Sequence, residues 1–209
     1  MQTRSMSGGR GMVAISFDDY HPLNTKIADL LEQYGLKATF YIETATPEAR
    51  SQIAELSSRG HEIGCHTIHH PSDMKALHHV EVVSEVEGAK SMIEGITGKP
   101  CTTFAYPRGR FNDDVVEIVR RAGFTHARTT HVLKTEWDDP LRMPTTVHLY
   151  DGRKEYNERD WSSLSRFYME HVIKNGGTFS VWGHASEIER DRMWERLDYL
   201  LAFIKKSIV

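Results

Sequence analysis

The sequence is poor in cysteine and contains no long apolar run, and each shortage excludes a class of protein. Only two of the 209 residues are cysteine, Cys65 and Cys101. Two cysteines fit a reduced compartment better than a disulfide framework. A chain of this length is therefore expected to depend on a hydrophobic core for its stability. No stretch approaches the roughly 18 consecutive apolar residues of a transmembrane helix, so no membrane insertion is predicted.

The sequence also lacks a large excess of charge of either sign. Lys and Arg number 26 and Asp and Glu 29, which gives a formal net charge of −3. A chain without a basic excess is not predicted to bind nucleic acid. The N-terminus lacks the apolar segment of a signal peptide, so the expected location is cytoplasmic, or secreted if a leader has been removed. We predict a flexible leader at 1–11 and one domain at 12–209, and the sequence does not predict the oligomeric state.

What the sequence does contain is an alternation of short apolar runs with amphipathic helical segments. The predicted strands are 12–17, 38–42, 62–65, 102–105, 124–127, 141–143 and 179–182. The predicted helices are 23–34, 46–58, 78–96, 113–122, 164–174 and 191–206, with Thr46 and Asn112 as N-caps. This alternation predicts an α/β fold, either a barrel or a doubly wound sheet. In both architectures, reactive groups gather at the C-terminal ends of the strands.

The first chemical signal is a pair of adjacent carboxylates, Asp18 and Asp19, directly after the first predicted strand. One carboxylate can bind a metal ion while its neighbour remains available as a base. Aspartates are also common in turns for local reasons, because their side chains bond to nearby backbone N–H groups or cap a helix. The pair by itself leaves both interpretations open.

The second signal follows the third predicted strand in a chain that holds twelve histidines. His66 and His70 are four residues apart, a spacing that places both imidazoles on one face of a helical turn. With one carboxylate they would form a two-histidine, one-carboxylate set suited to Zn²⁺ or another divalent ion. His69 is a rival ligand, and a plain polar loop is the alternative interpretation.

Two further predicted strands also end in residues of chemical interest. His184 follows the last strand, although a lone histidine there is more often structural than catalytic. In the segment 105–109, Pro107 and Gly109 fix a turn that could direct a backbone N–H into a pocket, or could simply connect a strand to a helix. Because several strands deliver reactive groups at the same end, one shared site is a simpler interpretation than several unrelated features.

In this order the four segments resemble the motifs of the polysaccharide deacetylases, the NodB-like carbohydrate esterase family 4. Residues 16–20 (SFDDY) are similar to the T-F-D-D-G motif, and residues 66–70 (HTIHH) match H-[ST]-x-x-H. Residues 105–109 (AYPRG) approximate R-P-P-Y-G, and residues 182–184 (WGH) look like L-x-H. The resemblance extends over about 12–205 and implies a single catalytic domain folded as a distorted (β/α)7 barrel.

The resemblance also implies a reaction and the residues that perform it. The implied reaction removes N-acetyl or O-acetyl groups from a carbohydrate that contains amino sugars, and it releases acetate. It requires a divalent metal, zinc foremost, with cobalt, nickel or manganese as alternatives. The implied metal ligands are Asp19, His66 and His70. Asp18 would be the general base, His184 the general acid, and the backbone N–H of Arg108 a donor to the oxyanion.

Two positions depart from the family motifs. The glycine of the first motif is Tyr20 here, and the arginine of the third, which would pair with the base carboxylate, is Ala105. We hypothesise that Arg142, in the sixth predicted strand, replaces that arginine. Glu187 lies three residues after His184 and could orient its imidazole, although a surface glutamate is the simpler interpretation.

Three other functions stand as alternatives to deacetylation. The first alternative is hydrolysis of a non-carbohydrate C–N bond, as in allantoinase-like relatives. Those relatives tend to lack the metal ligands that this chain keeps. A non-catalytic carbohydrate-binding or metal-binding relative would lack the base and the acid, which are present here as Asp18 and His184. A sugar-phosphate enzyme would need a glycine-rich phosphate loop, and the sequence contains none.

Overall fold

The structure is a computed structural model that describes residues 3–5 and 11–208. Its strands are β1 (Thr3–Ser5), β2 (Gly11–Asp18), β3 (Thr39–Ile42), β4 (Glu62–Cys65), β5 (Thr103–Ala105), β6 (His126–Arg128), β7 (Val147–His148) and β8 (Gly177–His184). Its helices are α1 (Asn24–Gln33), α2 (Pro47–Ser58), α3 (His79–Thr97), α4 (Asp113–Arg121), α5 (Trp161–Asn175), α6 (Ala185–Arg190) and α7 (Trp194–Ser207). These elements fall into two compact units.

The first compact unit consists of residues 39–130 and 137–143. Its four strands are parallel and follow the order β3-β4-β5-β6. All four residues of β3 are buried, as expected of a parallel strand that is covered on both faces. Helices α2 and α3 contact β4 and each other, and α4 contacts α3. Because the four strands are parallel, each delivers the residue after its last position to the same edge of the sheet.

The second compact unit holds β1, β2, β7 and β8 with the helices α1, α5, α6 and α7. β2 and β8 are its longest strands, eight residues each, and they pair in parallel from Gly11 opposite Gly177 to Asp18 opposite His184. β7 pairs in parallel with β8, and β1 pairs antiparallel with β2. Helix α5 packs against β2, β7 and β8.

Two helix starts confirm the capping that the sequence predicted. The Thr46 side chain accepts a hydrogen bond from the backbone N–H of Ala49 at 3.1 Å, and Pro47 is the first residue of α2. The Asn112 side chain accepts one from the N–H of Val115 at 3.0 Å, at the start of α4. Each cap satisfies a backbone donor that has no partner within its helix.

The last predicted helix, 191–206, corresponds to α7, which begins at Trp194 and ends at Ser207. The residues just before α7 include Arg192 with φ of 55°, and because a left-handed residue cannot continue a right-handed helix, α7 begins only after it. The short helix α6, which the sequence did not predict, precedes this turn.

The predicted strand 141–143 is wrong. This segment forms one isolated bridge, between Met143 and Arg128, rather than a strand. Pro140 and Pro144 flank it, and proline has no N–H to give to a ladder. Beyond the predicted leader, the strand that the pattern missed is β7, whose two residues are too few to show any periodicity.

The predicted flexible leader contains structure at residues 3–5, which form β1. The rest of the leader, apart from residue 11, lies outside the described residues. The prediction that 12–209 is one domain remains a prediction. Among the described helices, none has both the length and the apolar character to cross a membrane.

Candidate active site

The second compact unit places the two predicted carboxylates at the end of β2. Asp18 is the last residue of the strand and is only 3 % exposed. Asp19 adopts a left-handed backbone, with φ of 67°, a conformation that aspartate tolerates better than most residues. The side chain of Asn24, the first residue of α1, donates to the Asp19 carbonyl oxygen at 2.9 Å. The turn into α1 therefore holds Asp19 directly beyond the strand.

The same unit brings His184 to these carboxylates. His184 is the last residue of β8 and lies opposite Asp18 in the register of the two strands. Its Nε2 atom is 3.9 Å from Oδ2 of Asp19, and its Nδ1 atom is 2.6 Å from Oε2 of Glu187. The predicted base, one predicted metal ligand and the predicted acid are therefore neighbours.

The surroundings of His184 favour its charged form. Burial by itself would lower the pKa of this imidazole, but the hydrogen bond to Glu187 and the charges of Asp18, Glu187 and Asp19 outweigh it, and the pKa is raised. A raised pKa means that the ring is protonated over more of the neutral range, as a general acid requires.

Glu187 is not the surface residue that the simpler interpretation of the sequence favoured. Its side chain is 17 % exposed and accepts hydrogen bonds from both His184 and His148. Burial would raise the pKa of Glu187, but the hydrogen bonds from the two imidazoles hold it at about 2. Glu187 is therefore an anion fixed between two rings.

The first compact unit contains the two predicted histidine ligands. Nδ1 of His66 is 2.8 Å from the backbone carbonyl oxygen of Ala105. A carbonyl only accepts, so Nδ1 carries the proton and the lone pair is on Nε2, the arrangement typical of metal-binding histidines. The rings of His66 and His70 lie 4.7 Å apart between centroids. His70 has φ of 50°, and its N–H donates to the Thr67 hydroxyl at 3.0 Å.

His69, the rival ligand, has a different partner. Its Nδ1 atom is 2.6 Å from Oε1 of Glu85, and the residue is exposed. The other oxygen of Glu85 accepts from the backbone N–H groups of Ile68 and His69, both at 2.9 Å. Glu85 thus organises this loop and engages His69, while His66 and His70 pair with each other.

Arg108 lies in a tight turn, as predicted. The turn spans Pro107–Gly109, and both Arg108 and Gly109 have left-handed φ angles, 54° and 65°. A Cβ atom on Gly109 would come within 2.1 Å of the Thr130 hydroxyl oxygen, so only glycine fits at that position. The backbone of Arg108 is fixed by this turn, and its role as an oxyanion donor remains a prediction.

The hypothesis that Arg142 replaces the missing motif arginine is not supported. Its guanidinium pairs with Asp113 at 2.8 Å and with Asp139 at 3.1 Å, and its side chain is 41 % exposed. Arg142 is therefore part of a surface ion-pair network. The buried arginine of this unit is Arg128, which lies at the end of β6 over the ring of Tyr41. The sequence did not single out Arg128, which lies one residue beyond the predicted strand 124–127.

Side chains that could hold a metal ion occur in both units. In the second unit, His148, His184 and Glu187 offer ligand atoms within 4.8 Å of one another. This cluster does not fit an ion, because the carboxylate oxygen already accepts hydrogen bonds from both rings and those nitrogens therefore carry protons. The His66 ring in the first unit fits one, since its Nε2 atom carries the lone pair.

The chain is similar to proteins that act on acetylated carbohydrates. It is 29 % identical over 169 residues to a chitooligosaccharide deacetylase of Sinorhizobium fredii, which covers 73 % of this chain and 78 % of that protein. It is also 29 % identical over 155 residues to a peptidoglycan-N-acetylglucosamine deacetylase of Bacillus cereus, covering 68 % of each. The chain spans only 4 % to 48 % of the length of four other curated relatives.

Solved structures show the fold. A carbohydrate esterase family 4 pseudoenzyme from Bacillus anthracis matches with a TM-score of 0.63 at 19 % identity, over 97 % of this chain and 63 % of its own. Such matches confirm the predicted (β/α)7 fold class. The family model of polysaccharide deacetylases matches residues 6–127, more than half of the chain. The chain therefore belongs to the polysaccharide deacetylase family.

Proposed function

We propose that the protein is a metal-dependent hydrolase that removes N-acetyl or O-acetyl groups from a carbohydrate containing amino sugars and releases acetate. The observation that carries this proposal is the register of β2 and β8, which sets the buried Asp18 opposite His184. A carboxylate and a protonated imidazole side by side suit a reaction that first removes a proton and then returns one. The deacetylase relatives support the choice of an acetylated sugar as substrate.

We propose that Asp19, His66 and His70 hold the metal ion. Two imidazoles and one carboxylate form a donor set that suits Zn²⁺, with cobalt, nickel or manganese as alternatives, and leaves coordination positions open. The tautomer of His66, fixed by the Ala105 carbonyl, supports this assignment. When bound, such an ion supplies a Lewis acid for the acetyl carbonyl and lowers the pKa of water.

Three residues of the chain perform the remaining steps of the proposed reaction. Asp18 accepts a proton from the attacking water. The backbone N–H of Arg108 donates a hydrogen bond to the developing oxyanion, a contribution typically worth about 3 kcal/mol. His184 then donates its proton to the sugar nitrogen, because an amine leaves readily only when it is protonated.

A direct test measures acetate release from N-acetylglucosamine oligomers and from peptidoglycan. We expect Asp18→Asn to reduce kcat by about 100-fold or more, the usual size of a general-base contribution. Asp29→Asn, on the exposed side of α1, is the matched control and should retain full activity. Full-rate release by Asp18→Asn would remove the proposed base, and a wild-type protein that releases no acetate from any acetylated sugar would remove the proposed activity.

Metal analysis tests the ligand set separately from catalysis. We expect one equivalent of metal in the wild type and a loss of affinity in Asp19→Asn, His66→Gln and His70→Gln. The loss should exceed the 10- to 100-fold that removal of a supporting partner costs. His69→Gln is the matched control, because His69 is engaged by Glu85, and it should bind metal as the wild type does. Metal loss in His69→Gln with retention in His70→Gln would contradict the assignment.

A non-catalytic role is the second candidate, since a family 4 pseudoenzyme shares the fold. That candidate predicts binding of the carbohydrate without acetate release. The presence of both Asp18 and His184 at paired strand ends favours catalysis, and the acetate assay decides between the two.

A further inference from the structure

The carboxylate of Glu187 is shared between two imidazoles. Its Oε2 atom is 2.6 Å from Nδ1 of His184 and 2.9 Å from Nε2 of His148. An ionised carboxylate only accepts hydrogen bonds, so both of these nitrogens must carry a proton. It follows that His184 has its proton on Nδ1, and that the edge of the ring facing Asp19 is the Nε2 edge.

The second imidazole, His148, is held far more firmly than a surface residue. The residue is 4 % exposed, and its ring stacks on Trp182 at 3.8 Å between centroids with 8° between the planes. The hydroxyl of Tyr156 accepts from the His148 N–H at 2.6 Å and donates to its carbonyl oxygen at 2.8 Å. Both the backbone and the ring of His148 are therefore fixed.

Burial also favours the neutral form of the His148 ring. Burial lowers the pKa of this imidazole, and the hydrogen bond to Glu187 only partly opposes that effect. A neutral imidazole bonded to a carboxylate presents one N–H and keeps it over the neutral range. His148 thus offers Glu187 a permanent donor.

We propose that His148 is a positioning residue, which acts through Glu187 to hold the ring of His184 in the orientation that proton donation requires. Glu187 lies in the first turn of α6 and reaches back to the end of β8. With His148 in place, the carboxylate has one position, in which Oε2 faces Nδ1 of His184. Without that donor, the carboxylate can turn toward solvent, and the His184 ring loses the partner that fixes its orientation. This inference rests on the proposed role of His184 as the acid.

The test compares two variants that separate ring packing from hydrogen bonding. His148→Phe keeps a ring to stack on Trp182 but has no N–H, whereas His148→Gln keeps an N–H donor and loses the ring. We expect His148→Phe to lower kcat about 10- to 100-fold, the size of a hydrogen bond to a charged group, with KM changed less than about twofold. His148→Gln should recover kcat to within about fivefold of the wild type. His171→Phe, on the exposed side of α5, is the control and should leave kcat unchanged.

Nitrogen NMR of the imidazoles supplies a readout that does not depend on turnover. In the wild type we expect His184 to have a protonated Nδ1 that is hydrogen-bonded to Glu187, and His148 to have a protonated Nε2; in His148→Phe we expect the Nδ1 signal of His184 to show a weakened hydrogen bond. A wild-type His148 protonated only on Nδ1 could not donate to Glu187 and would overturn the proposal, even if no variant folded. Wild-type kcat and an unchanged His184 spectrum in His148→Phe would also overturn it.

The roles of His184 and of His148 are distinguished by different outcomes. If His184→Gln retains full activity, the proposed acid is wrong, whereas the His184 spectra still report whether His148 fixes that ring. If His184→Gln is inactive but His148→Phe behaves as the wild type in both readouts, the acid stands and the positioning role is wrong.

Discussion

Three residues that the sequence singled out adopt left-handed backbone conformations, which residues other than glycine rarely adopt. Asp19, His70 and Arg108 have φ angles of 67°, 50° and 54°. Such residues typically cost about 1–3 kcal/mol each and persist where the surroundings hold them. The Asn24 amide supports the Asp19 carbonyl, and the Thr67 hydroxyl supports the His70 N–H. At the residue scale, the predicted chemistry therefore coincides with strained and locally supported backbone.

Glu187 gives a prediction for stability as a function of pH. Its pKa in the folded protein is about 2, below its ordinary value of 4.5, because two imidazoles donate to it. Because the pKa is lower in the folded protein than in the unfolded chain, the ionised carboxylate stabilises the fold. This contribution is fully present at pH values above the unfolded pKa of 4.5, and it is lost as the pH falls from 4.5 toward 2. We expect Glu187→Gln to be less stable than the wild type by on the order of 2 kcal/mol at neutral pH.

Urea denaturation at several pH values measures this contribution. The difference between wild type and Glu187→Gln should shrink as the pH is lowered from 5 to 3. Glu170→Gln, on the exposed side of α5, should show no comparable trend. A difference that stays constant over this range would mean that the Glu187 charge does not stabilise the fold.

At the scale of elements, the short strands of the first unit depend on close packing between neighbours. Gly64 in β4 lies opposite Tyr41 in β3. A Cβ atom on Gly64 would come within 2.3 Å of the Tyr41 ring, whose hydroxyl is hydrogen-bonded to that of Thr103 at 2.8 Å. The absence of a side chain at Gly64 therefore makes room for the ring.

We predict that Gly64→Ala destabilises the protein by about 1–3 kcal/mol, the usual cost of overpacking a filled core. Gly95→Ala is the matched control, because Gly95 lies on the exposed side of α3 with open space around it. That substitution should be neutral or stabilising by up to about 1 kcal/mol, since alanine favours a helix. Thermal and urea denaturation measure both, and equal stabilities for the two variants would refute the packing argument.

At the scale of the whole molecule, the proposed metal ligands lie far apart in the sequence, Asp19 near the start of the chain and His66 and His70 more than 40 residues later. An ion that binds the folded protein and not the unfolded chain stabilises folding by mass action, by about 2.7 kcal/mol when its free concentration is 100 times its Kd. Ligands far apart in the sequence cannot bind one ion together in an unfolded chain.

We therefore expect a chelator to lower the Tm of the wild type and added Zn²⁺ to restore it. His66→Gln should show the lower Tm and little response to either addition, while His69→Gln should respond as the wild type does. Calorimetry measures the shifts. An identical Tm for the wild type with and without chelator would contradict a metal ion that stabilises the fold.

Several features of this protein follow from short stretches of sequence. Thr46 and Asn112 cap their helices because a cap depends on residues no more than three positions away. The (β/α)7 fold class follows from the alternation of strands and helices together with the family motifs. Asp18, Asp19, His66 and His70 were recognisable for the same reason, since each pair is defined by local spacing after a strand.

Only the tertiary structure determined which side chains contact each other when they are far apart in the sequence. Glu187 could be suspected from its distance of three residues to His184, but its second partner, His148, is 39 positions away and ends a strand of two residues. Arg142 pairs with Asp113, 29 positions away, rather than with the base carboxylate. Such partners depend on strand register and packing, which bring together residues that no local pattern connects.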